Sequence, residues 1–510
     1  MAEERGNAGD RVDQAFRALP LDALADAALS RAGQLGAEHA DLRVERIQSQ
    51  GLALRDGTVS SANDAVTLGL AVRVIVAGTW GFASTHQLTV DEAAATASRA
   101  VEVARALRAV STEPVERADE PVHAGAAWVS AYQIDPFSVP TQDKIALLAE
   151  WSHRLLASDG VQHVDTACPQ IKENKFYADL AGTSSIQQRI RIEPRFTATA
   201  VDRAAGRFET MRTLAPPAGR GWEYALGTGW DFDAELARTP AYLAERMKAP
   251  SVEPGRYDLV IDPSNLWLTI HESVGHATEY DRAIGYEAAY AGTSFATPDQ
   301  LGTLRYGSEL MHITGDRTVP HGLATIGYDD DGVATTEWDL VRDGVLVGYQ
   351  LDRTFAPRLG LARSNGCAFA DSPHHVPIQR MANVSLRPDP TRDTSLDDLI
   401  DGVEHGIYVV GDKSWSIDMQ RYNFQFTGQR FYRIEHGRLA GQLRDVAYQA
   451  TTTDFWGSLR ALGGPSTWLL GGALNCGKAQ PGQVAAVSHG CPAALFEQVN
   501  VLNTAREAGR

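Results

Sequence analysis

Residues 257–279 read YDLVIDPSNLWLTIHESVGHATE, and the second half of the fold is read outward from them. Tyr257–Ile261 is a short apolar run of the kind that makes a buried strand. Asp262, Pro263 and Ser264 follow. Asp and Ser cap helix N-termini, and proline suits the first helical position, where its missing N–H would have no partner anyway. The stretch therefore predicts a strand, a tight entry and a helix that carries His271.

That helix holds His271-Glu272-Ser273-Val274-Gly275-His276. The pattern resembles the zinc-protease helix HExxH with one extra residue between the histidines. Each residue of a regular helix turns about 100°, so i,i+4 histidines sit roughly 40° apart and share a metal readily. At i,i+5 they sit roughly 140° apart and do not converge. A π-bulge closes an i→i+5 ring and restores the alignment. Gly275, just before His276, is expected to lower the cost of that distortion. The spacing thus predicts a distorted helix presenting both imidazoles to one ion.

Catalytic zinc takes three protein ligands and keeps a fourth position for water. The metal lowers the pKa of that water, and a nearby carboxylate takes its proton. Glu272 is the candidate general base. Spacing leaves the third ligand open. Glu279, three residues after His276, gives a His-His-Glu set; otherwise it is a helix-end carboxylate or an acceptor behind the ligands. Cys476, in Asn475-Cys476-Gly477-Lys478, offers a thiolate; a lone cysteine is more often a small buried hydrophobe. His312, His321, His374, His375, His405 and His489 are further candidates, each by itself more often a surface or core histidine than a ligand.

The surrounding chain has 510 residues, a length that suggests several domains. Hydrophobic residues are 44% and charged residues 22%, ordinary globular usage. The net charge of −17 argues against nucleic acid and against a polybasic membrane patch. The four cysteines form no CxxC pair, which suits reduced thiols in the cytoplasm. The polar start MAEERGNAGD reads as a ragged tail without a signal peptide, and the apolar run near Leu68–Ala77 is too short to span a bilayer.

Upstream, Leu21–Leu35 has helical spacing. Leu42–Leu54 alternates, Asp56-Gly57 signals a hairpin turn, and Val66–Val76 and Thr79–Ser84 read as strands. Thr89 and Glu92 form a capping-box signature before a helix ending near Val110. Thr141–Ser158 is a second amphipathic helix, and 160–213 alternates again. Ala215–Gly221 (APPAGRG) is a linker candidate, with a helix at Asp233–Met247. Beyond residue 300 the chain reads as short strands and Gly/Asp turns, with a hairpin at 335–351. The fold class is α+β with two domains: 1–230, a mixed sheet with helices, and 231–510, a strand-rich domain carrying the histidine motif and the late cysteine.

HESVGHATE and the later NCGK together resemble the TldD/PmbA family, the modulators of DNA gyrase. DLRVE, the RDG turn at 55–57 and LAVRVIVAGTWGFAST at 70–85 are similar to that family's first domain. DDDGVATTEWDLVRDGVLVGY at 329–349, Arg380 with Asn383, and CGKAQPGQ at 476–483 are similar to its second. The resemblance implies a cytoplasmic metallopeptidase of the TldD type that pairs with a PmbA/TldE-like subunit and trims or degrades unfolded peptides, leader peptides included. It also implies one zinc per catalytic chain, held by His271, His276 and Cys476, with Glu272 as acid/base.

The expected reaction is peptide-bond hydrolysis on extended chains held by main-chain pairing, with the Gly-rich strands near 471–482 as the edge. Arg380 and Asn383 read either as substrate anchors or as a surface salt bridge and a turn residue. Two other functions compete: a zinc amidase for small molecules, and a scaffold with a structural zinc that modulates a gyrase-linked partner. A structural site needs no adjacent base, so Glu272 speaks against the scaffold.

Overall fold

The computed structural model describes residues 8–204 and 206–507; most of the expected polar tail lies outside them. The protein is a mixed α+β structure. No helix among the described residues is long and apolar enough to cross a membrane.

Nine strands of the first half form one sheet. Its centre is the hairpin His39–Arg55 and Thr58–Val76, turned by Asp56 and Gly57, which both have positive φ. The helices Leu21–Gln34 and Val90–Leu107 cover one face at the hairpin's base with a small-residue seam of alanines. Thr89 caps the second helix by accepting from the Glu92 N–H. The helices Thr141–Leu156 and Phe232–Lys248 close a second core around Trp151, Phe196 and Phe232.

The alternation in Leu42–Leu54 predicts one dry face and one wet face, but both faces are dry near the strand's start. Asp41, Arg43 and Glu45 are buried. The segment Asp329–Asp331 of the second half lies on them: Lys175 Nζ donates to Asp330 Oδ1 at 2.8 Å, and Arg73 pairs with both Asp41 and Asp331. A charged sheet face is thus buried by a charged loop of opposite sign, which ties the two halves together.

The second half is built around Gly255–Ile261, which pairs parallel to His405–Ile417 and antiparallel to Ala494–Asn503. His405–Ile417 pairs with Asn423–Glu435, that strand with Val446–Thr451, and the last with Ala494–Asn503. The pairing closes on itself, so these strands form a barrel without free edges. Helix Pro263–Ile270 leaves the first barrel strand with all eight residues buried. Asp262 caps it through the Ser264 N–H at 2.9 Å.

The stretch 215–221 is not a free linker. Ala218 bridges Ile192 by two main-chain hydrogen bonds, and Ala215 and Ala218 are buried in the second core. Proline and glycine mark the absence of regular structure there, not the absence of packing. The hairpin expected at 335–351 is shorter than read, Glu337–Arg342 with Val345–Leu346.

Candidate active site

Helix Pro263–Ile270 runs into a single π-helical turn, His271–Gly275. The His276 N–H donates to the His271 carbonyl at 3.0 Å, the i→i+5 bond that the histidine spacing requires. The two imidazole centroids come within 4.6 Å. Gly275 is needed for room more than for freedom. It has no positive φ, and a Cβ there would sit 2.7 Å from Met381 Sδ.

Cys476 arrives from a different part of the fold. It lies on Leu469–Lys478, which forms a hairpin with Gln483–Cys491. The register slips between Ala473 and Cys476, a bulge that re-aims the side chains around it. Cys476 Sγ lies 3.6 Å from His276 Nε2. Zinc bonds of about 2.3 Å to sulfur and 2.05 Å to nitrogen at a tetrahedral angle would set these atoms roughly 3.5 Å apart. One donor atom from each of His271, His276 and Cys476 lies within 4.8 Å of the others, and all three residues are buried. Among the described residues no fourth His, Cys, Asp or Glu joins this cluster. The donor set fits a tetrahedral, thiolate-accepting ion with one position open.

Each imidazole is held from behind. His276 Nδ1 faces Glu279 Oε2 at 2.9 Å, and Glu279 is gripped by Arg282 Nε at 3.1 Å and Lys478 Nζ at 3.1 Å. Glu279 therefore backs the cluster and does not enter it. Lys478, Arg282 and His276 outweigh its burial and hold its carboxyl well below the usual range.

His271 Nδ1 faces His489 Nε2 at 2.8 Å, and His489 Nδ1 faces the Val384 carbonyl at 2.8 Å. A carbonyl only accepts, so His489 Nδ1 carries the proton and its Nε2 accepts from His271. That leaves His271 Nε2 unprotonated for a metal. Burial and neighbouring His271 push His489 well below the ordinary histidine range, so it stays neutral.

Burial raises the Cys476 thiol, but neighbouring His276, which also hydrogen-bonds it, and the Arg380 guanidinium outweigh it and leave it below the ordinary value. Glu272 follows the same pattern: burial raises it, and His276, His271 and Arg421 together lower it, so it is ionised. Its Oε2 accepts from Arg421 Nη1 at 2.8 Å.

Arg380 and Asn383 are neither surface residues nor at a turn. Both are fully buried. Arg380 donates to the carbonyls of Cys476 at 2.6 Å and Gln483 at 3.1 Å, so it fixes the hairpin that delivers the cysteine. Asn383 accepts from the N–H groups of Ala324 and Ser488 and donates to the Asp316 carbonyl. The other histidines stand apart from the cluster. His312 pairs with exposed Asp343, His321 with the Gly219 carbonyl, His374 with Ser84, His375 with Asp371, and His405 lies against Tyr257 with the rings tilted by 35°. Reading by spacing placed His489 only among the candidate ligands and missed its backing role, along with those of Arg421 and Lys478, because each meets the motif only through the tertiary fold.

The cluster opens into a cleft of about 660 Å³ lined by His271 and Cys476. Its first-half wall includes Ile171, Arg195 and Leu214, and its second-half wall includes Trp267, Leu268 and Trp415. Arg212 Nη2 and Asp412 Oδ1, 2.8 Å apart, tie the two walls together. Leu469 and Gly471–Cys476 run along the cleft. That strand pairs only with Gln483–Cys491, so its other edge is unpaired among the described strands.

Residues 254–503 match the model of the PmbA/TldA metallopeptidase C-terminal domain, and residues 40–104 match that of the PmbA/TldA metallopeptidase domain 1. The chain is 28% identical to a metalloprotease of Methanothermobacter thermautotrophicus, over 89% of this chain and 93% of the relative. It is 23% identical to a zinc metalloprotease TldD homologue of Saccharolobus solfataricus, over 83% and 88%. The fold matches that of TldE from Thermococcus kodakarensis with a TM-score of 0.68, at 14% identity over 93% of this chain and 98% of that one. Site and matches together define a metallopeptidase. The chain belongs to the PmbA/TldD family.

Proposed function

We propose that His271, His276 and Cys476 hold one zinc ion and that the chain hydrolyses extended peptides in the cleft beside them. The observation that carries this is the meeting of three donors within 4.8 Å of one another on the wall of an open cleft. When bound, the ion supplies a Lewis acid that polarises a carbonyl and makes water more acidic.

The chain's own groups do the rest. The unpaired edge of Leu469–Lys478 offers main-chain donors and acceptors to an extended substrate, which it would hold without reading sequence. The ionised Glu272 accepts a proton at its carboxylate and passes it to the leaving amine. Arg421 fixes that carboxylate's orientation. Glu279 and His489 hold the two imidazoles in the tautomers that leave Nε2 free. Folded proteins present no free extended segment, so unfolded chains and leader peptides fit the cleft. The open cleft also favours a peptide over the small substrate of an amidase.

The resemblance to TldE in fold supports a PmbA/TldE-like partner subunit in the working enzyme. Four free, buried cysteines suit a reducing cytoplasm.

The test measures metal per chain and hydrolysis in the purified protein, with and without the partner. The native chain should carry about one zinc, and Cys476→Ser should weaken its hold. Glu272→Gln should keep the metal and lose roughly 10²- to 10⁴-fold in turnover. Zinc that is indifferent to Cys476 would sink the ligand set, and retained turnover in Glu272→Gln would remove Glu272 from the reaction.

A further inference from the structure

Trp415 stands on the wall of the cleft with 52% of its surface exposed, and among the described residues no ring or cationic group stacks on it. Tryptophan is the largest apolar side chain, and an open indole in a cleft is surface for a ligand to cover.

Several contacts fix it there. Trp415 lies on His405–Ile417, where the register with Asn423–Glu435 slips: three steps from Asp412 to Trp415 face two from Gly428 to Phe426. The extra residue makes a bulge, which bends a strand and re-aims its side chains. Thr427 of the partner strand holds the bulge. Its Oγ1 accepts the Ser414 N–H at 2.9 Å and donates to the Ser414 carbonyl at 3.1 Å. The helix that runs into the histidine motif grips the same place. Asn265 Nδ2 donates to the carbonyls of Gly411 at 2.9 Å and Thr427 at 3.0 Å, and Ser264 Oγ accepts the Gly411 N–H at 3.0 Å. One short helix, Pro263–Ile270, therefore sets the indole in register with His271 and Glu272.

The indole also touches Glu272. Burial raises the Glu272 carboxyl; His276, His271 and Arg421 lower it, and a hydrogen bond from the Trp415 side chain adds to them. Tryptophan donates only through its ring N–H, at the ring's edge, so this contact leaves the indole faces open.

Which part of a substrate meets those faces follows from the proton's path, and this step rests on the peptidase reading above. Glu272 passes its proton to the leaving amine, so that nitrogen comes within hydrogen-bond reach of the carboxylate. The residue bearing that nitrogen is the one after the scissile bond, and its side chain lies beside Trp415. Trp267 and Leu268 extend the same wall with apolar surface.

We propose that Trp415 is a specificity-determining residue, which stacks on the side chain of the residue after the scissile bond and selects a large apolar, above all aromatic, group there. An aromatic side chain gains a ring pair beyond the area it covers.

The test gives the zinc-loaded chain, alone and with the partner subunit, a Gly/Ser-rich peptide blocked at both ends and carrying one internal phenylalanine. Mass spectrometry of the products locates the cuts. They should fall on the amino side of phenylalanine at least about tenfold more often than at any other bond. Trp415→Ala should scatter them. Trp415→Phe keeps an aromatic face and loses only the N–H to Glu272, so the preference should survive even where the rate falls. The position is exposed, so both variants spare the core, and zinc per chain and thermal melting check that they fold. The pattern of cuts within one peptide does not depend on the overall rate, so a merely structural loss leaves it unmoved. Calorimetry on the Glu272→Gln chain, against the same peptide with glycine in place of phenylalanine, should show the preference as affinity without hydrolysis. Unselective cutting by the native chain, an unchanged pattern in Trp415→Ala, or a preference lost as fully in Trp415→Phe would overturn the proposal and leave the peptidase reading standing. Weaker partner binding with an unchanged pattern in Trp415→Ala would make the indole a subunit contact instead. A zinc-loaded chain that cuts neither peptide would overturn the peptidase reading, and the assignment to the residue after the scissile bond with it.

Discussion

Replacing His489 with phenylalanine tests the claim that a residue outside the ligand set decides how well the site holds its metal. The ring stays: His489 stacks on Trp267 with centroids 6.2 Å apart and an interplanar angle of 12°, and phenylalanine can keep that contact. What goes is the acceptor for His271 Nδ1–H and the donor to the Val384 carbonyl. His271 is then free to shift its proton to Nε2, the nitrogen the metal needs. Restoring the right tautomer on binding leaves a buried N–H unpaired, at a cost of about 1–3 kcal/mol. Each 1.4 kcal/mol is about tenfold, so zinc affinity should fall roughly 5- to 150-fold. Losses of about 10- to 100-fold are typical when such backing groups are removed. Competition with a chelator of known affinity reads this without substrate or partner. His489→Gln, which can accept from His271, should recover part of the loss. Circular dichroism of the metal-free variant checks that the fold survives. A zinc affinity within about twofold of the native chain, in a folded His489→Phe protein, would refute the tautomer argument and leave His489 a core residue.

Other expectations follow from the same geometry. Gly275→Ala places a methyl 2.7 Å from Met381 Sδ and 3.0 Å from its Cε, so thermal melting should show a loss of about 1–3 kcal/mol, partly relieved by Met381→Ala. A loss of metal without a change in melting would say that the turn, not the packing, needs glycine. Arg380→Ala frees the carbonyls of Cys476 and Gln483, so zinc affinity and melting temperature should fall together; unchanged zinc affinity would detach Arg380 from the cysteine's placement. For Asp352 the folded pKa, about 7, lies above the usual carboxyl value of 3.8. The folded state therefore favours the protonated form. Its stabilising effect is full below about pH 4 and is lost as pH rises toward 7. Urea unfolding of Asp352→Asn should show a smaller decline from pH 5 to pH 8 than the native chain does, and equal slopes would contradict burial as the cause of the raised carboxyl.

The local features were legible because they depend on neighbours in sequence. Asp262-Pro263-Ser264 set the helix entry through a side chain two residues from the amide it caps. The five-residue histidine spacing implied a π turn from helix geometry alone, and the turn is there. Thr89, Asp56 and Gly57 mark a cap and a turn in the same way.

The same reasoning misjudged residues whose surroundings come from elsewhere. Arg380 and Asn383 look like surface residues by type, yet both are buried against strands distant in sequence. APPAGRG has the composition of a linker and the packing of a core segment. Asp41, Arg43 and Glu45 belong to an alternating strand, and only the arrival of Asp329–Asp331 makes their face dry.

Sequence alone therefore determined that two histidines and a glutamate share one distorted helix and that a strand and its cap deliver them. The third donor, 200 residues from His276, and His489, 218 residues from His271, are brought in only by the hairpin's place beside the barrel. So are the Arg421 partner of Glu272, the unpaired strand edge and the cleft beside it. Helical periodicity and capping act over a few residues and leave their mark in the order of the chain. Which buried strand end lies against which helix is settled by the packing of whole sheets, and no spacing within the sequence records it.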